Sequence, residues 1–420
     1  GFEQDGTGWK RIRRGGPFAV VTTPVHSGAK AMELTQSAPT VLPAEASKYQ
    51  EIAVTARHDY AVSGWIQTNT LNGREGLTSS HIAVLGNFFD TFQSDEHLTR
   101  MYLSRSVASH NEFHGNTTKQ SGGNGVAGIR LEGAQFGPST GEYDIISDNI
   151  FIVFGASGSV PLNGSFIGGK QSPRIQHVII ERNSFTSSPN SVKNAIDRGA
   201  GDRFTIRNNS FYNVPAQAIS LSADFVNEMK GLRIYDNTSY NSSTFLGLTA
   251  MSAPGLELRN NIVIGATKII QTVNIKLPDA TQAVANTTET NNIFWPGTGT
   301  LFNFDDGTTV LNYTMAQWQA LGKGQNTLKV DPLLVDAVNS NLQLQSTSPA
   351  INAGISVPTL EDIINNLRPQ GLGYDIGAYE YDSGAPPSAP ADTTNPTGNW
   401  LIPAQGANVS GAQVAVGITA

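Results

Sequence analysis

One phrase of apolar and polar positions recurs along the middle of the chain: an aliphatic residue, two variable residues, Asn, one variable residue, then an aromatic or apolar residue. It reads VLGNFF ending at Phe89, ASHNEF at Phe113, ISDNIF at Phe151, IERNSF at Phe185 and IRNNSF at Phe211. Weaker copies are IYDNTSY, LRNNIV and ETNNIF. The Asn positions are 87, 111, 149, 183, 209, 237, 261 and 292, with successive gaps of 24, 38, 34, 26, 28, 24 and 31 residues. Helical repeats hold a tighter period, so this irregular spacing argues for rungs whose loops swell. A strand such as Val178-Ile179-Ile180 points alternate side chains inward, where each stacks on its counterpart one rung away. An Asn at the following turn can bond its own and neighbouring rungs, and Asn tolerates left-handed backbone there. The aromatic residue two positions on then stacks beneath the next. The expected fold is all-β, a right-handed parallel β-helix with an Asn ladder over residues 77–381 and short capping β segments at both ends. Eight rungs at about 4.8 Å make a rod of roughly 40 Å.

Composition narrows the class. The chain has 420 residues, 15% of them charged, against about 25% in ordinary soluble domains. With 27 basic and 34 acidic side chains and a net charge of −7, it lacks the basic excess of a nucleic-acid binder. Hydrophobic residues at 39% argue against disorder. Cysteine is absent, which removes disulfides, thiolate metal sites and a cysteine nucleophile. No apolar run reaches the roughly 18 residues of a membrane span. A start at Gly1 without Met reads as a processed or truncated product.

The flanks differ from the repeat. None of the 34 Asn precedes Asn69. Alternation in AMELT, QEIAV and AVSGWIQT predicts antiparallel strands. With its opening Phe-Glu, Trp9, the His26-Ser27-Gly28 turn and Ser63-Gly64-Trp65, segment 1–76 resembles half of a jelly-roll carbohydrate-binding module of the family-4, -9 and -22 type. Such a half leaves bare strand edges that another element or a neighbouring subunit must complete. Beyond Asn292, Tyr313 to Gly322 predicts a short helix with Thr314 as N-cap and Gly322 as stop. The stretch from Asp331 to Tyr381, with DPLLVD and RPQGLGYDIGAYEY, resembles the closing segment of secreted bacterial β-helix proteins and is expected to cap the last rung. Residues 382–398 read as a Pro/Ser/Thr linker, and 399–420 as the start of an immunoglobulin-like repeat.

The candidate chemistry follows from the rod. The clustered Asp and Gly-His-Gly turn of polygalacturonase-like hydrolases are absent, as is the Asp-His pair of pectate lyases. LSRSVASHNEF with Arg105, followed by GIRLEG with Arg130 and Glu132, resembles the alginate-lyase and chondroitinase-B type. Arg105 stands where that type has Lys, and Leu131-Glu132 where it has His. The resemblance implies β-elimination from a uronate, with Arg105 and Arg130 as base and acid and Ca2+ neutralising the carboxylate. Such an elimination needs a cation, a base and an acid in one groove. Inward-pointing Ile129 and Leu131 turn Arg130 and Glu132 outward, and aligning later rungs adds Lys170, Asp197 and Arg198 to that face. The loop HNEFHGNTTKQSGG contributes His110 and Lys119 on a long rung. Arg105, Arg130, Lys119 and His110 are thus the catalytic candidates, and Glu132, Lys170, Asp197 and Arg198 the substrate-binding ones. No set of metal ligands is identified, because His26, His58, His81 and His177 lack ligand spacing. The same residues also suit a solvated cross-rung ion pair, a strand end and a turn. The expected function is a secreted polysaccharide-active enzyme, a lyase on a uronate-containing glycan. The alternatives are a non-catalytic surface or filament protein that binds glycan or self-associates, and a glycoside hydrolase with an unfamiliar carboxylate pair.

Overall fold

Three residues build one wall of a rung. In Ile179–Glu181 the middle side chain points inward, and that parity repeats up the stack. Ala108, Ile146, Ile180, Ile206, Ile234 and Leu258 share one column and are each at most 1% exposed. In the computed structural model such strands form a parallel sheet of nine, from Tyr60–Val62 to Thr288–Thr290. A second sheet has eight parallel strands, from Phe88–Phe92 to Ile293–Trp295. A third has ten, from Glu75–Leu77 to Val310–Thr314. These counts are of the described residues. The backbone is described for the strands from Trp9 onward and nearly throughout 175–382; side chains are described at 85, 107–113, 129, 144–152, 176–187, 194–197, 202–222, 229–275 and 279–382. The three sheets are the walls of a right-handed parallel β-helix.

The ladder stands between the first and second sheets. From Asn111 to Asn261, each ladder residue donates its N–H and its Nδ2 to the Oδ1 of the next, at 2.7–3.1 Å. The left-handed residue is not the ladder Asn, as expected from sequence, but the one before it. His110, Asp148, Arg182, Asn208, Asp236, Asn260 and Asn291 have φ of 50–57°. Bending one residue earlier brings the ladder amide and its own N–H together onto one oxygen of the adjoining rung. Two positions after the Asn, Phe113, Phe151, Phe185 and Phe211 stack face to face with centroids 4.8, 5.0 and 5.1 Å apart.

The ladder ends at a carboxylate. Glu289 takes the inward position that Leu258 holds one rung earlier, and its Oε1 accepts from Asn292 Nδ2 at 2.5 Å and Thr327 Oγ1 at 2.5 Å. Its Oε2 accepts from Trp318 Nε1 at 3.0 Å. Burial pushes this carboxyl up, and the three donors oppose the shift. Trp318 lies on the expected helix, Met315–Ala320, where Thr314 and Gln317 form a capping box and Gly322 turns at φ 75°. It stacks on Phe302 at 4.4 Å and so plugs the core. The third sheet closes beside it in an antiparallel pair, Thr300–Asp305 with Val310–Thr314, which leaves no bare parallel edge there.

The closing segment begins beside the last rung, where Leu334, Leu342 and Leu344 cluster with Ile293. It turns back along the outside of the rod and walks down the left-handed corner. Asn291 Nδ2 donates to Ala353 O at 3.0 Å, and Asn260 exchanges two bonds with Ile355 at 2.8 and 3.0 Å. Asp236 Oδ2 accepts from Thr359 at 2.8 Å, and Asn208 Nδ2 donates to Glu361 O at 2.8 Å. The physical reason lies in both surfaces. Trp318 already fills the end, while the second sheet turns Ile262 and Ile293 outward. Those two are fully buried only because Leu334, Leu342, Leu344 and Ile376 cover them, at about 1.5–3 kcal/mol per buried side chain. Within the segment, Arg368 donates to Glu380 at 2.7 Å and to the carbonyls of Asp375 and Gly377 at 3.2 and 2.6 Å. Gly377 must lack a side chain, since a Cβ there would lie 2.7 Å from Ile262 Cδ1.

At the other end, Trp9–Arg11 pairs antiparallel with Lys48–Gln50 and Phe18–Val21 with Ala31–Leu34. The stretch around Ala61, expected antiparallel, is instead parallel: Tyr60–Val62 registers with Ile82, Ala83 and Val84. It continues the register of the first sheet. The linker from 383 and the expected immunoglobulin-like start at 399–420 lie outside the described residues. No helix among the described residues is long and apolar enough to cross a membrane.

Candidate functional site

The third sheet is a different wall from the second, on which the closing segment packs. Its register runs through the sequence candidates: Arg130, on strand Val126–Leu131, has Arg100 as its partner on one side and Gly168 on the other. Gly168 registers with Asp197, and Asp197 with Ser220. The column continues through Gly247, Gln271 and Asn303. It is oriented by the inward neighbours, Ile129, Ile196, Ile219, Leu246, Ile270 and Phe302, all at most 2% exposed. Arg130 and Asp197 therefore stand two strands apart in one column. Arg105, Lys119, Glu132, Lys170 and Arg198 lie outside the described residues.

Where side chains are described, this face is dominated by amides and hydroxyls. Ser220, Gln217, Gln271 and Asn303 are half-buried, and Asp197 is the charged residue among the column's described side chains. Thr244 Oγ1 donates to Gln271 Oε1 at 3.2 Å, Asn303 Nδ2 to Asn312 Oδ1 at 3.1 Å, and Lys268 Nζ to Thr300 Oγ1 at 2.7 Å. The Gln217 amide lies across Gly247, where a Cβ would meet it at 2.3 Å and displace the amide. These groups offer paired donors and acceptors at one-strand spacing along a straight wall.

His110 is elsewhere. It is the exposed left-handed residue at the corner between the first and second sheets, on a different wall from Arg130 in the same rung. Its Nδ1 lies 2.7 Å from Ser109 Oγ, which in turn lies 3.5 Å from Asp148 Oδ2. The other charges of that side are paired among themselves. Arg182 grips Asp148 with two bonds of 2.7 and 3.1 Å, Arg207 holds Glu181 at 2.6 Å, and Arg259 meets Glu257 at 3.2 Å. Tyr235 donates to Glu257, and burial together with that contact raises the phenol. Among the described residues, Arg182, Arg207 and Arg259 on this side each stand in an ion pair.

No cluster of three His, Asp or Glu side chains suited to a metal ion occurs among the described residues. Sequence reasoning missed Arg100, Gln217, Gln271 and Asn303 as members of the third-sheet face. The signal that finds Gln271 and Asn303 is the inward apolar residue before each, Ile270 and Phe302, not the distance from the ladder Asn. No protein-family model and no curated protein matches the sequence.

Proposed function

We propose that this is an extracellular polysaccharide-active β-helix protein that binds a uronate-containing glycan along the third sheet and cleaves it by β-elimination. The observation that carries the reading is the register of Arg100, Arg130, Asp197 and Ser220 in one column of a straight parallel wall. A rung repeat of about 4.8 Å offers one set of groups for each successive sugar. In such a step a base removes the C5 proton, the C4–C5 double bond forms, and the leaving oxygen takes a proton from an acid. Arg130 is the residue proposed for proton transfer, with Arg105, and Asp197 for orienting sugar hydroxyls. Calcium, if the reaction uses it, neutralises the uronate carboxylate and so acidifies C5–H.

A second reading, non-catalytic glycan binding by a surface or filament protein, is favoured by the amide and hydroxyl character of Ser220, Gln217, Gln271 and Asn303. The two are separated by incubating the protein with a panel of acidic glycans and calcium and following the ultraviolet absorbance of the unsaturated product. The lyase reading expects absorbance that Arg130→Ala removes. No signal on any uronate polymer, with Arg130→Ala leaving glycan binding unchanged, sinks it.

A further inference from the structure

On the outer side of the third sheet, side-chain amides follow one another from strand to strand. Ser220 registers with Gly247, Gly247 with Gln271, Gln271 with Asn303 and Asn303 with Asn312. The position that Gly247 leaves without a side chain is filled from the neighbouring strand. The three atoms nearest to where its Cβ would stand are Gln217 Oε1, Cδ and Nε2, at 2.3, 2.5 and 2.6 Å. Gln217 opens the strand that carries Ser220, and its amide crosses to take the place of the missing side chain. The backbone at Gly247 does not itself call for glycine, since its φ lies outside the left-handed region. What the absent Cβ makes room for is the amide. The row therefore reads Gln217, Gln271, Asn303, Asn312. Within it, Gln271 Oε1 accepts from Thr244 Oγ1 at 3.2 Å, and Asn303 Nδ2 donates to Asn312 Oδ1 at 3.1 Å. Both polar atoms of the Gln217 amide, Gln271 Nε2, Asn303 Oδ1 and Asn312 Nδ2 keep no partner in the chain. None of the four residues is buried.

We propose that this amide row binds uncharged sugar units, so that the glycan of the third sheet is a heteropolymer whose uronates are separated by neutral residues. The proposal rests on the reading that a glycan lies along this wall, and it names what the upper part of the wall selects. A hydroxyl both donates and accepts, and so does an amide, so a row offering N–H and C=O groups outward matches hydroxyls. A carboxylate only accepts. Set against Gln217 Oε1 or Asn303 Oδ1, it brings acceptor to acceptor, which is unfavourable. The charges of the wall act in the same direction. Across strands Gln217–Ser222, Thr244–Thr249, Lys268–Val273 and Thr300–Asp305 the charged residues are Lys268 and Asp305. The Lys268 ammonium is drawn onto Thr300, donating to its O and Oγ1 at 2.5 and 2.7 Å. Asp305 repels a carboxylate, and so does Asp197, which registers with Ser220 at the start of the row. Arg100 and Arg130 stand in the same column on the far side of Asp197. Uronate and neutral units thus have separate places along one wall.

Two substitutions reach the same amide by different routes. Gly247→Ala displaces it with a methyl group on the outer side of the sheet, and Gln217→Ala removes it. Denaturation midpoints check that both fold, and Gln217→Ala, at a half-buried outer position, carries the test alone if Gly247→Ala does not. Titration calorimetry then compares alginate, built of uronates alone, with gellan, in which uncharged sugars separate the uronates. The expected result is that the parent binds gellan more tightly than alginate. Each substitution weakens gellan binding about tenfold, as for one or two lost hydrogen bonds, and leaves alginate binding as in the parent. The double variant binds gellan no more weakly than either single one, because both act on one amide. Equal losses on the two polymers, or tighter binding of alginate by the parent, overturn the selection of uncharged units while leaving the glycan on this wall. Gellan binding that neither substitution changes overturns it as well. If the parent binds neither polymer, or if Ser220→Trp alters the binding of neither, the wall is not the glycan site and the proposal falls with the reading beneath it.

Discussion

Replacing Asn209 by Ala removes the middle of the ladder and isolates what the ladder contributes. The Asn209 side chain accepts from Asn183 N and Asn183 Nδ2, both at 3.0 Å. It donates to Ile180 O at 2.9 Å and to Asn237 Oδ1 at 3.0 Å, with a further contact to Arg207 O at 2.9 Å. Asn209 is fully buried, so water does not replace these partners. Four lost bonds at about 1 kcal/mol each, with the Asn183 N–H left without an acceptor, come to about 4 kcal/mol. The comparison is Asn241→Gly, which removes an exposed bond of 3.1 Å to Asn213 from a residue at φ 63°. There the lost bond is worth under about 1 kcal/mol and glycine relieves the left-handed backbone, so the net change is near zero. Both are measured by urea denaturation followed by circular dichroism and by Trp fluorescence, which checks that the two probes report one transition. If Asn209→Ala shifts stability by no more than Asn241→Gly, the ladder is a consequence of stacking and not a source of stability.

Two further outcomes rest on separate parts of the rod. Phe185→Ala deletes a fully buried ring between Phe151 and Phe211, and the transfer and cavity costs together come to about 3–5 kcal/mol, with Phe185→Leu costing less in the same denaturation assay. Arg368→Ala leaves the buried Glu380 without its cation and the Gly377 carbonyl without a donor; breaking such a pair costs about 3–5 kcal/mol. Because the lost bonds lie within the closing segment, limited proteolysis should cleave within residues 353–381 while the rungs stay intact, and a uniform loss of the whole rod would contradict this.

The rod was legible because two of its columns keep a constant offset within each rung. The ladder Asn and an inward residue two positions on, Phe up to Phe211 and then Ser239, Val263 and Phe294, repeat wherever the first and second sheets meet, whatever the loops do. The third sheet was harder to read, since the connection after the ladder is long from Asn111 to Arg130 and short from Asn261 to Gln271. Its column emerges only from backbone register, which links Arg130 through Gly168 to Asp197. The left-handed position was misassigned because a residue such as Arg182 does not announce a turn, and the bend is imposed by the ladder that follows it. The bonds that hold the closing segment are not legible in the sequence, because Asn260 and Asn208 hold it through backbone groups of Ile355 and Glu361. The outward Ile262 and Ile293 were the available hint: an apolar residue on the outer face of a rung calls for a cover.

The functional reading turns on whether the third-sheet face is where a glycan lies. Ser220 sits in the middle of that column, half-buried, with Asp197 and Gly247 as its register partners. A Trp at this position places a large ring across the wall without entering the core. Ile150→Trp, on the exposed outer face of the second sheet at 43% exposure, is the matched control. The affinity of a uronate-containing polysaccharide for the two variants, measured by titration calorimetry at equal folding stability, separates the surfaces. The account predicts that Ser220→Trp weakens binding by tenfold or more, about 1.4 kcal/mol, while Ile150→Trp binds as the parent does. Unchanged affinity in Ser220→Trp, or a loss confined to Ile150→Trp, would move the glycan off this wall.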